Sequence, residues 1–114
     1  MQKKLHENGI STFSQSEIAQ LFKIAKIKVR YSGVRILTAP ASQTLAGRIL
    51  IITPKASGSA PERNLFKRRV RSIFRENNLA NSGKDFVIIT DKRGIALSFI
   101  KLCQLLVSAA QSPV

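Results

Sequence analysis

A small α+β domain, one sheet packed by helices, is the fold class that three features of this sequence predict. Apolar runs of strand type alternate with stretches of helical periodicity. The chain has 114 residues, which suits a single domain, and 44% of them are apolar, enough for one modest core. No repeat, low-complexity tract or second domain is visible, so residues 14–110 are expected to form the domain between flexible tails at 1–13 and 111–114. Tryptophan is absent, so the core is expected to rest on Ile, Leu, Val and Phe.

The elements follow in order. Residues 1–13 are polar and patternless. Ser14 and Glu17 then stand at capping-box spacing. Ile18, Leu21, Phe22 and Ala25 follow the i, i+3, i+4, i+7 rule, which predicts a helix over SQSEIAQLFKIAKIK with Lys23, Lys26 and Lys28 off its apolar stripe. VRILTAP (34–40) alternates briefly and stops at Pro40, as a strand does. ASQTLAG connects it to RILIITP (48–54), a continuous apolar run closed by Pro54 and read as a second strand. After the small-residue turn ASGSAP, Ser59 and Glu62 repeat the capping-box spacing, with Pro61 tolerated in the first turn of a helix that runs to about Asn77. DFVIITD (85–91) reads as a further strand, and Asp91 to Gly94 turn the chain. A last helix is expected from Ile95 to about Ala110, with Ile100, Cys103, Leu106, Val107 and Ala110 on one side.

Charge is the strongest global signal. Nineteen Lys and Arg against six Asp and Glu give a formal net charge of +13. Such an excess opposes compaction and favours a polyanionic partner, nucleic acid first and an anionic membrane surface second. No stretch approaches the ~20 apolar residues of a membrane span. The two N-terminal lysines are followed by no apolar run, which argues against a signal peptide. A single cysteine, Cys103, excludes an intrachain disulfide and suits a reducing compartment. These features together predict a cytoplasmic protein.

The charge concentrates in one helix. Six of the thirteen residues from Arg63 to Arg75 are basic and none is acidic. At about 100° per residue, Arg63, Asn64, Lys67, Arg68, Arg71 and Arg75 fall within an arc of about 140°. Phe66, Val70, Ile73 and Phe74 gather on the other arc, with Leu65 and Arg69 at its far edge. The helix thus serves as core element and electrostatic comb at once. Like charges at i, i+4 cost a few tenths of a kcal/mol per pair, and the series 63–67–71–75 stacks three such pairs. Phosphates are the ligand that fits this cost, since Arg forks grip them in bidentate fashion. A solvated helix face and a membrane-surface helix are the competing readings.

Other chemistry finds little footing. His6 and Cys103 cannot build a metal cluster or a nucleophilic pair. Cys103 reads as a small buried hydrophobe. The six carboxylates form no visible acid/base pair. Asp85 is expected to shape the loop before its strand and Glu62 to cap a helix. ASGSAP lacks the lysine and the spacing of a P-loop. Catalysis by the protein itself is unsupported.

At RNLFKRRVR the sequence resembles the bacterial ribonuclease P protein subunit, a family that carries an RN-x-x-KR-x-x-R run on a helix preceded by a strand and a basic, Gly-containing turn. Arg63, Asn64, Lys67, Arg68 and Arg71 fall on the motif, Phe74 on a recurrent Phe, Lys55 on one of a lysine pair and Gly58 on the turn glycine. EIAQLFK is similar to the family's first helix, with Phe22 on its usual aromatic, and KDFVIIT resembles its last strand. The likeness spans about Glu17 to Ala110. The chain departs from the pattern at Pro54, Ala56, Leu65 and Asp91, and at Ile18 and Ile36, where the family has aromatics.

The resemblance implies a fold of order αβββαβα, of the ribosomal protein S5 domain 2-like type, with a left-handed β-α-β crossover. It implies that the basic helix, with Lys55, Arg63, Asn64, Lys67, Arg68, Arg71 and Arg75, binds the catalytic RNA of ribonuclease P. A cleft beside the first helix would hold the single-stranded 5′ leader of precursor tRNA, here with Ile18, Phe22, Lys23, Tyr31, Arg35 and Ile36. The cut would be made by the RNA with magnesium ions, while the protein alone needs no cofactor and no protein partner. Without two of the aromatics, the cleft loses stacking surfaces worth about 1–3 kcal/mol each. The alternative is a general structured-RNA-binding or ribosome-associated protein of the same fold.

Overall fold

The structure, a computed structural model, describes residues 13–41 and 46–112. Its elements are α1 (Gln15–Ile24), β1 (Lys26–Tyr31), β2 (Val34–Pro40), β3 (Ile49–Ile52), α2 (Ala60–Glu76), β4 (Lys84–Thr90), a one-turn helix α3 (Lys92–Ile95) and α4 (Phe99–Gln111), with short 3-10 turns at Lys55–Ser57 and Leu79–Ser82. The four strands form one sheet in the order β1-β2-β4-β3. β2 pairs antiparallel with β1 and β4, and β3 pairs parallel with β4, so the connection between those two neighbours runs through α2.

Two corrections to the sequence reading concern the first helix. It ends at Ile24 rather than running on through Lys28, because Ala25 takes extended backbone and the next six residues pair with β2. Lys26–Tyr31 is therefore the third strand ahead of α2. A two-residue turn joins β1 to β2, with Ser32 and Gly33 at φ 38° and 90°, both in the left-handed region that tight hairpins use. Gly33 is also required by space: a Cβ there would lie 2.1 Å from Asp91 Oδ1.

The sheet has two unlike faces. On one, Val34, Ile36, Ile49, Phe86 and Ile88 pack against Phe66, Val70, Ile73 and Phe74 of α2 and Leu102, Leu105, Leu106 and Ala109 of α4. Phe74 meets Phe86 edge-to-face at 5.6 Å. α4 thus buries 102, 105, 106 and 109; of the expected Ile100, Cys103, Leu106, Val107 and Ala110, Leu106 is buried, while Cys103 and Ala110 pack only partly against the core. Ile100 is 70% exposed and Cys103 half-buried. Lys101, Gln104, Ser108 and Gln111 form a polar stripe along this helix, and the buried set lies on the side turned away from it.

On the other face a smaller cluster of Leu21, Ala39 and Val87 is flanked by Phe13, Ala25, Leu37, Leu50, Ile52 and Ile89. α1 lies here and covers only one end of the sheet. The expected N-terminal tail lies outside the described residues except for Phe13, which belongs to this cluster.

Candidate nucleic-acid interface

α2 starts where the sequence places it. Ser59 Oγ accepts from Glu62 N, and Glu62 Oε1 accepts from Ser59 N at 2.8 Å. The bond from Ser59 N, foremost, and the Ser59 hydroxyl hold the Glu62 carboxyl below its ordinary value. The 3-10 turn carrying exposed Lys55 leads into the helix, and Arg63 Nε donates to Gly58 O at 3.0 Å, tying the first turn of the comb to that connection.

Along the helix, Asn64, Arg68 and Arg75 are exposed, whereas Arg63, Lys67 and Arg71 are half-buried. The two arcs abut rather than oppose each other, since Phe74 falls between Arg63 and Lys67 when viewed down the axis. Half-burial is what long cationic side chains show when their aliphatic stems can cover apolar surface. Among the described residues the ion pairs are Arg48–Glu17, Arg48–Asp85 and Arg93–Asp91, and none involves the basic arc of α2. Arg69, at the far edge, donates instead to Leu97 O at 3.3 Å and secures the α3–α4 connection.

The open part of the other face forms a groove. Its floor is the half-buried Leu37, Leu50, Ile52 and Ile89, and its wall is α1, with Phe22 43% exposed and Lys23 exposed. Arg35 alternates with Leu37 onto this floor. Ile36 does not: it is fully buried against α2 and α4, which corrects its assignment to the cleft. The reason is the strand period of two, which sends neighbouring side chains to opposite faces. Tyr31 turns the same way: it pairs with Val34 and its ring lies under Lys101 Nζ of α4 at 4.5 Å, which corrects its assignment to the cleft as well. Ile18, partly buried on α1, lies on the groove's helical wall.

The groove leads to a hollow of about 480 Å³ at the end of the hairpin, lined among others by Arg30, Arg35, Pro54, Asp91 and Arg93. Arg30 and Arg35 are direct cross-strand partners. Like charges placed opposite each other destabilise a strand pair, so this arrangement favours an anion between them. Arg93 escaped the sequence reading, which took 91–94 as a plain turn. Asp91 Oδ1 accepts from Arg93 N and Gly94 N at 2.7 and 3.3 Å, making a helical turn that presents Arg93, while Arg93 Nη2 pairs with Oδ2 at 3.1 Å. These contacts, Arg93 first, hold the Asp91 carboxyl below its ordinary value.

Asp85 does more than shape a loop. It is 7% exposed and accepts from Arg48 N at 2.8 Å. Burial pushes its carboxyl up despite that bond. Among the described residues, no group of three or more His, Cys, Asp or Glu stands where it could hold a metal ion, and no helix is long and apolar enough to cross a membrane.

A compact, strongly basic α+β domain with a cationic helix and an apolar, arginine-ended groove is the architecture of an RNA-binding protein. The family model for ribonuclease P matches residues 13–112, and the chain belongs to the ribonuclease P protein family. Solved structures agree in fold. The Staphylococcus aureus RNase P protein is 18% identical with a TM-score of 0.71, covering 86% of this chain and 89% of its own. The RNase P protein from Thermotoga maritima, in complex with 1-(4-fluorophenyl)-2-thiourea, is 24% identical with a TM-score of 0.70, covering 85% and 94%. No curated protein sequence matches the chain. Family membership selects the ribonuclease P subunit over a general structured-RNA binder, and brings with it tRNA processing and an RNA partner.

Proposed function

We propose that α2 seats the protein on the catalytic RNA of ribonuclease P, with Lys55, Arg63, Asn64, Lys67, Arg68, Arg71 and Arg75 meeting its phosphates. The observation that carries this reading is a one-sided cationic arc that pairs with no carboxylate among the described residues. The groove beside α1 then receives the single-stranded 5′ leader of precursor tRNA. Phe22, Ile18 and Lys23 form its wall, the apolar strand residues its floor, and Arg35, with Arg30 and Arg93, its cationic end. Bases resting on apolar surface while phosphates meet cations is the usual way to hold single strands. The chain contributes binding and orientation. Hydrolysis is assigned to the RNA and its magnesium ions, in the cytoplasm.

The test is cleavage of a precursor tRNA by a bacterial ribonuclease P RNA at low magnesium, with and without this protein. Stimulation that disappears when Lys67 and Arg71 are both replaced by Gln is the expected result. No stimulation, under conditions where another family member works, refutes the proposal.

A further inference from the structure

α1 is held to the sheet by very little. Leu21 is its one buried side chain, and Phe22 and Ile24 are each 43% exposed. Its C-terminal end is fixed covalently, since Ala25 alone separates it from β1. Its N-terminal end meets Arg48, the residue before β3. The Arg48 guanidinium lies 4.1 Å from the centroid of the Phe13 ring. It donates to Glu17 Oε1 at 3.3 Å and has Asp85 Oδ2 at 3.9 Å, with only 13% of the side chain exposed. A cation so enclosed is not presented to an external phosphate. It joins three separate parts of the chain: Phe13 ahead of the N-cap of α1, the first turn of α1 and the start of β4.

We infer that Arg48 is a positioning residue for the groove, a latch that fixes the N-terminal end of α1 and so sets the distance between the helical wall and the strand floor. Low-stability elements open first, and α1 buries too little to hold itself closed. With the latch in place the groove is preformed, and binding a single strand does not have to order its wall. The inference rests on the groove being the leader site.

Two variants test it in the holoenzyme reconstituted with a bacterial ribonuclease P RNA. Glu17→Gln keeps the oxygen that caps α1 but removes the ion pair; Arg48→Met removes the latch and keeps much of the stem. Three quantities are read: amide exchange over 15–24, affinity for the catalytic RNA, and the ratio of affinities for leader-bearing and leaderless tRNA. An ion pair with one partner half exposed, like Arg48–Glu17, corresponds to about a twofold to fivefold effect. The expected result is that Glu17→Gln lowers the leader ratio by that factor and Arg48→Met by about tenfold, with faster exchange confined to α1 and unchanged affinity for the catalytic RNA. If exchange and leader ratio stay at wild-type values in Glu17→Gln, or exchange rises while the ratio holds, the inference is overturned and the groove reading survives. A wild-type holoenzyme indifferent to the leader overturns both.

Discussion

Replacing Arg71 with Gln separates the two roles of α2 by moving them in opposite directions. Arg71 stands four residues from both Lys67 and Arg75 and three from Arg68, so its charge takes part in three like-charge contacts on the helix. Each is worth about 0.2–0.5 kcal/mol, and removing all three raises stability by up to about 1.5 kcal/mol, less the packing lost from a half-buried stem. Gln matches Arg in helix propensity and retains two of its methylenes. In the complex the sign reverses. One lost phosphate contact reduces the slope of log K against log salt by about 0.9, which at 0.1 M salt is about eightfold in affinity. The assays are a denaturant titration of the free protein and filter binding to the catalytic RNA from 0.05 to 0.4 M salt. A fall in stability of more than about 1 kcal/mol with an unchanged salt slope refutes the assignment, because Arg71 would then serve the fold and not the ligand.

Three further outcomes are expected. Phe74→Ala removes a 1% exposed ring in edge contact with Phe86 and costs about 3–5 kcal/mol, read by thermal melting; a loss below 1 kcal/mol contradicts the buried stripe of α2. Gly33→Ala places a methyl against Asp91 and Gly94 at a positive φ, and lowers stability by about 1–3 kcal/mol; an unchanged melting temperature refutes the close approach of hairpin and α3. Asp85→Asn tests a buried carboxyl whose folded-state pKa lies above its ordinary 3.8. The native state holds that proton more tightly than the unfolded chain, so the contribution of the neutral form is present at low pH and lost as pH rises through the folded pKa. The stability of Asp85→Asn relative to the parent therefore climbs from pH 4 to 7, and a flat or falling difference rejects the assignment.

Signals that depend on residues a few positions apart are the most legible in the sequence, and those set by pairing across the fold the least. Ser14–Glu17 and Ser59–Glu62 are capping boxes in the structure because the motif depends on residues three apart. The helical stripe of α2 and the apolar run of β4 were equally plain. The strand signal of β1 is present, since Lys26–Tyr31 alternates polar and apolar residues, but no Gly or Pro separates it from the helical stripe that ends at Ala25, and only pairing with β2 over the Ser32–Gly33 turn marks the boundary. Alternation groups Ile36 with Val34 and sets both apart from Leu37 and Ala39, but both faces of β2 carry apolar residues and only the packing of α2 and α4 tells which group turns toward them. Arg48 looked like the start of a strand, and its contacts come from residues 31 positions before it and 37 after.

The route from β3 to its parallel neighbour passes through the cationic helix. No other covalent path joins the two strands. A pull on α2 from a bound polyanion therefore acts on paired strands at both ends, and the helix cannot swing out as a loose arm would without opening the core that Phe66, Val70, Ile73 and Phe74 help to form. The backbone positions from which its basic side chains leave are accordingly held as firmly as the apolar stripe that seats the helix on the sheet.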